Sequence, residues 1–164
     1  DYARVLGIVQ ILAGRFTTGQ DEVVDAVDRR LAEIDALRKE LGELEKQWVE
    51  STANALYAAA ELRGALRVVS LALDYSADRA KRVAQALRAR PGTVVFLGVR
   101  GDRPQLLFGR ADDVDADMGA LLKVAAAAGG GRGGGRSDWA QGGVPENWAL
   151  PVALDAAVAA LLQS

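Results

Sequence analysis

The stretch that most constrains this chain is residues 129–143, GGGRGGGRSDWAQGG, which holds eight of its eighteen glycines and two arginines, Arg132 and Arg136. Such a run cannot fill a core, because glycine brings no side chain and freezing its backbone carries a high entropic cost. Two readings remain. A flexible linker alternates Gly with Ser and small polar residues. A backbone cradle uses the glycines to bring N–H groups close to an anion. Arginine interrupts this run at a spacing of four, and SDWAQGG follows directly. Periodic segments lie on both sides. These features favour the cradle, with Gly130, Gly131, Arg132, Gly133, Gly134, Gly135 and Arg136 as candidate phosphate-binding residues. Asp138 and Gln141 are expected to hold the loop by bonding backbone donors, with Trp139 as a core anchor or a base-stacking platform.

Composition narrows the chemistry. The 164 residues include no His and no Cys. A zinc site of the usual kind, a Ser-His-Asp triad and a Cys-His pair are therefore all out of reach, and the chain by itself is expected not to be an enzyme. No cofactor is implied. Net charge is −2, which does not describe a polycation, but it is uneven: residues 1–65 carry 8 basic and 12 acidic side chains, residues 66–164 carry 12 and 10. No apolar run is long enough to span a bilayer and no signal peptide is evident, so a cytoplasmic, non-membrane location is expected. The chain begins at Asp1 inside a helical pattern and reads as a fragment of a longer protein.

Taken in order, Val5, Ile8, Val9 and Leu12 predict a helix over 2–13, broken at Gly14, with Thr18 or Asp21 capping the next. Residues 21–62 form the longest periodic segment. One heptad register takes Val27, Ile34, Leu41, Trp48 and Ala55; the other takes Val23, Arg30, Leu37, Leu44, Ser51 and Ala58, with Arg30 and Ser51 interrupting the seam. Either this is a self-association arm, or it is an amphipathic helix packed on its own domain. Gly64 is expected to end it. Leu66–Leu73 reads as a buried strand, and Asp74 or Ser76 as the cap of a helix through Arg90. That helix carries Arg79, Lys81, Arg82, Arg88 and Arg90 with no acid after Asp78. It is either a solvated face or a phosphate-binding stripe. Thr93–Val99 and Gln105–Gly109 predict a hairpin. Asp112, Asp113, Asp115 and Asp117 lack the spacing of a calcium loop and are read as caps for a helix over 116–128. Val152–Leu162 is the closing helix. The whole is an α/β fold, a central sheet flanked by helices and preceded by a long helical arm, with residues 1–63 as arm and 64–164 as globular domain.

The run GGGR-S-D-W-A-Q-G-G resembles the end of the C-terminal domain of alanyl-tRNA synthetases, within the wider group of DHH-associated domains. The match lies at Gly133, Gly134, Gly135, Arg136, Asp138, Ala140, Gln141, Gly142 and Gly143. Ser137 stands where Pro is usual, and Trp139 where a smaller apolar residue is usual. The resemblance implies a non-catalytic module that binds tRNA, foremost tRNA(Ala), beside upstream aminoacylation or editing modules and self-associates through residues 21–62 as a homodimer. Two alternatives stay open: the accessory domain of a DHH-type phosphoesterase, and a purely structural dimerisation domain. The phosphoesterase loop usually has His after the glycines, where this chain has Arg136, and lacks the Asp-x-Ala-Gln that follows.

Overall fold

A computed structural model describes residues 2–16, 19 and 22–163. The expected caps Thr18 and Asp21 lie outside the described residues. The chain divides into two compact units, residues 1–46 and 47–164.

The first unit is helical. Helix α1 spans Tyr2–Phe16, so Gly14 does not break it: glycine weakens a helix interior by only about 1 kcal/mol relative to alanine. The long helix α2, Val23–Ala58, begins here and continues into the second unit. Ala13, Val23 and Ala26 are buried, whereas Leu31, Ile34, Leu37, Leu41 and Leu44 along α2 are exposed.

The second unit is an α/β sandwich of three layers. After the end of α2 come β1 (Glu61–Arg63), β2 (Leu66–Leu73), α3 (Ala77–Arg88), β3 (Thr93–Val99), β4 (Gln105–Arg110), α4 (Met118–Ala128), β5 (Arg132–Gly135), β6 (Trp139–Gly143) and α5 (Ala149–Leu161). The six strands pair in the order β1-β2-β3-β4-β6-β5, with only β2 and β3 parallel. Helix α2 therefore ends four residues short of expectation. Gly64 does not terminate it. That glycine instead turns the β1–β2 hairpin at φ +63°, a conformation closed to most side chains.

β3 explains the layering. Every residue of TVVFLGV is buried, as a central strand covered on both faces requires. On one face Val94, Phe96, Leu106, Phe108 and Ala140 pack under α4 and α5. Phe96 and Phe108 are directly opposed in the ladder, with ring centroids 4.5 Å apart. On the other face Val95, Leu97 and Leu107 meet Ala80, Val83, Ala84 and Leu87 of α3. Gly98 lies where a Cβ would come within 3.1 Å of Leu150, so its lack of a side chain lets α5 approach.

Caps define the helices. The Ser76 side chain accepts a hydrogen bond from Arg79 N–H at the start of α3, and Asp117 does the same for Ala120 at the start of α4. Asp113 serves another purpose: its carboxylate accepts from Gly92 N–H, pinning the turn before β3.

Candidate nucleic-acid interface

The glycine run is not a loop. Gly129, Gly130 and Gly131 end α4: Gly130 N–H donates to Ala127 and Gly131 N–H to Ala126, with Gly130 at φ +71°. This 5→2 and 6→1 pairing is a Schellman cap, which satisfies carbonyls the helix end would otherwise leave bare. Residues 132–143 then form the β5–β6 hairpin, closed by Arg136 N–H to the Trp139 carbonyl at 2.8 Å. The expectation of a loop is corrected accordingly: the amides of Gly130, Gly131 and Arg136 bond carbonyls of the chain itself, in a helix cap and a hairpin.

What the run does instead is bring backbones together. A Cβ on Gly133 would lie 2.6 Å from Gly142 Cα and 2.8 Å from Leu122, and one on Gly135 would lie 2.4 Å from Ala140 Cα. Successive strand residues face opposite ways. Gly133 and Gly135 thus face α4, while Arg132, Gly134 and Arg136 share the face that carries α3. Nothing lies within 4 Å of a Cβ on Gly134. The spacing of four between the arginines, read as a loop feature in the sequence, is a strand feature that sets both on one side.

On the α3 side the hairpin borders an open depression of about 440 Å³ lined by Lys81, Gly134, Arg136, Trp139 and Gln141 among others. Lys81 and Arg132 are exposed, and among the described residues neither side chain takes part in an ion pair. Gln141 is exposed as well.

Asp138 joins this site to α3. Its carboxylate accepts from Arg88 Nη2 at 3.0 Å and from Arg136 Nε and Nη2, each at 3.0 Å. The partners that hold Asp138 most strongly are thus guanidinium groups, beyond the backbone donors expected from the sequence. Asp138 binds guanidinium groups, which are stronger partners for a carboxylate than a neutral amide is. The Arg88 guanidinium above all holds its carboxyl below the ordinary carboxylate range; burial pushes the other way, and the Arg136 guanidinium adds to the lowering. Arg88 also lies over the half-buried Trp139 ring, 5.7 Å from its centroid. Trp139 is an anchor packed against the α3 core.

The basic stripe on α3 is not continuous and not unpartnered. Lys81 and Arg88, seven residues apart, face the hairpin. Arg79 and Arg90 face the end of α2: the Arg79 guanidinium sits 5.1 Å from the Trp48 ring centroid, and Arg90 bonds Glu50, Asn54 and the Ala53 carbonyl. Arg82 is exposed, on the helix three residues from Arg79 and away from the depression. Of the five cations, Lys81 and Arg88 meet the glycine hairpin.

Two residues of β4 support the site. Arg110 Nε donates to the Ser137 carbonyl at 3.1 Å and its Nη1 to Ala111, so it fixes the hairpin tip from β4. Gly109, opposite Trp139 in the ladder, leaves room for that ring: a Cβ there would meet it at 3.0 Å. A glycine inside an apolar strand signals such a close approach. Nothing in the sequence marks Arg110.

Residues 63–163 match the family described as the DHHA1 domain. The chain is 36% identical over 171 residues to the alanine–tRNA ligase of Acidothermus cellulolyticus and 31% identical over 163 residues to that of Leifsonia xyli. These alignments take in 99% and 94% of this chain but only 19% and 18% of the relatives' lengths. Among solved structures, the C-Ala domain from Aquifex aeolicus alanyl-tRNA synthetase superposes with a TM-score of 0.53 at 25% identity, covering 63% of this chain and 95% of that one.

Proposed function

The chain belongs to the DHHA1 domain family, and from that premise we propose that it is a non-catalytic tRNA-binding and self-association module of an alanyl-tRNA synthetase-like protein. The single observation that carries this reading is the meeting of Lys81 and Arg136 at one open depression, with the exposed Arg132 on the same face of β5 by strand alternation, in a chain whose relatives are alanine–tRNA ligases. In this reading Arg132, Arg136 and Lys81 contact backbone phosphates of tRNA(Ala). Such contacts position the RNA without reading its sequence. Gln141 and the exposed part of Trp139 border the same surface. Gly133, Gly134 and Gly135 contribute by shape, keeping the hairpin thin, and Gly130 and Gly131 by turning the chain from α4 into it. The exposed Arg82 extends the positive surface of α3 at a distance, while Arg79 lies against Trp48.

Self-association runs through residues 21–62. Ile34, Leu37, Leu41 and Leu44 repeat at spacings of three and four, are exposed, and make the seam a second copy would cover. Upstream modules of the same polypeptide carry the aminoacylation or editing chemistry. Among the described residues no helix is long and apolar enough to cross a membrane, in keeping with a cytoplasmic parent.

The test is binding of labelled tRNA(Ala) at two salt concentrations by the chain and by its Arg132→Ala/Arg136→Ala double variant. The expected result is wild-type binding that weakens with salt, and at least a tenfold loss in the variant, about 1.4 kcal/mol. Equal affinity of the two proteins removes the arginines as tRNA contacts, and no binding by either at low salt removes the tRNA reading and leaves a structural dimerisation domain.

A further inference from the structure

We propose that Asp138 is a built-in counter-charge that occupies Arg136 in the free protein and limits how strongly the hairpin face attracts polyanions, so that it opposes RNA binding and does not contribute to it. The proposal rests on the reading of this face as an RNA surface.

The geometry carries it. Arg136 is the most solvent-exposed partner of the cluster, its side chain 79% accessible, yet its Nε and Nη2 both point to Asp138. The Asp138 carboxylate is 27% accessible and is held from behind by Arg88, itself 22% accessible and lying over Trp139. The carboxylate cannot swing away without abandoning Arg88. It therefore stands as a fixed anion where a phosphate oxygen would engage the same fork of Arg136, since carboxylate and phosphate take the same bidentate geometry. A ligand phosphate has two ways to bind. Either it uses the N–H groups of Arg136 that Asp138 leaves free, beside a like charge, or it displaces Asp138 from Arg136 while Arg88 retains the carboxylate. Both weaken the contact relative to an uncovered arginine. The surface thus keeps enough positive charge for a ligand that also reaches Arg132 and Lys81, and too little for an isolated phosphate. In chemical terms the face selects an extended polyphosphate backbone spanning several cations.

Asp138→Asn tests this. The amide oxygen still accepts from Arg88, but the negative charge is gone. Asp155→Asn on α5, an exposed residue on the opposite face of the sheet, is the charge-matched control. Affinity for tRNA(Ala) is measured across a salt series, with retention on phosphocellulose in parallel. The expected result is that Asp138→Asn binds at least threefold tighter at low salt, with a plot of log K against log salt steeper by up to about 1. Asp155→Asn changes neither quantity, and Arg136→Ala in the Asp138→Asn background abolishes the gain. If the wild type binds and Asp138→Asn binds equally or more weakly, Asp138 is a binding or structural residue and the proposal falls. If no variant binds tRNA but the phosphocellulose shift appears and depends on Arg136, the counter-charge stands and the tRNA reading falls. Should Asp138→Asn fail to fold, the wild type decides by NMR. tRNA must then move the Arg136 ¹⁵Nε and Asp138 ¹³Cγ signals together, and an unmoved Asp138 signal overturns the proposal.

Discussion

An alanine scan through the glycine strand separates a packed hairpin from an exposed loop. Gly133, Gly134 and Gly135 all have φ outside the left-handed region, so alanine incurs no backbone penalty at any of them. Their surroundings differ. At Gly133 the new methyl would stand 2.6 Å from Gly142 Cα, 2.8 Å from Leu122 Cδ2 and 3.0 Å from the Gln141 carbonyl; at Gly135 it would stand 2.4 Å from both Ala140 Cα and the Trp139 carbonyl. Ordinary contact begins near 3.4 Å, so β5 must move away from β6 by several tenths of an ångström to 1 Å. Overpacking of this kind costs about 1–3 kcal/mol. At Gly134 the methyl meets nothing within 4 Å. There the smaller entropy of the unfolded chain leaves alanine neutral or stabilising by about 0.4–1 kcal/mol. Thermal unfolding followed by circular dichroism should therefore give a drop, no drop, and a drop at positions 133, 134 and 135. At about 3 °C per kcal/mol, the two falls are about 3–9 °C. Three neutral variants would refute the packing argument and restore an exposed loop. Three equal losses would refute the alternation of faces.

Other outcomes follow from the same structure. Because its two arginines hold the folded pKa of Asp138 below the unfolded value, its contribution to stability is present above the ordinary carboxylate range and is lost as pH falls through the folded pKa. Urea melts from pH 6 downward should show wild type losing stability below about pH 4 more steeply than Asp138→Asn. Phe96→Ala removes a fully buried ring opposed to Phe108 and should cost about 3–5 kcal/mol by urea unfolding. Leu37→Lys/Leu41→Lys puts two charges into the proposed seam of α2. Sedimentation should show a wild-type dimer becoming a monomer, with tRNA contacts of the globular unit retained at reduced apparent affinity.

Most strands and helices of the globular unit were legible because each carries its own local signal. Thr93–Val99 is a run of β-branched and aliphatic residues, and Ala77–Arg88 has its Ser76 cap and an apolar stripe at 80, 83, 84 and 87. The three-residue strand β1 was not, because ELR has no periodicity of its own and pairs only once Gly64 turns the chain. The glycine hairpin was misread for the opposite reason. Glycine has low strand propensity, and RGGG becomes a strand only because Gly142 and Gly143 across the ladder and Gly119 on α4 allow an approach that no other residues permit.

The sequence by itself determined the chemical limits of this protein: no His or Cys, an α/β pattern, a long heptad-bearing helix, and a glycine–arginine run matching a DHH-associated domain. Only the tertiary structure decided what that run does. Arg88 and Asp138 are fifty residues apart in the chain and 3.0 Å apart in space, and Lys81 reaches the same depression from another helix. Local sequence encodes which elements form, through propensity, caps and periodicity. Which charges then neutralise one another, and which stay free for a ligand, depends on pairings between elements that no local pattern records.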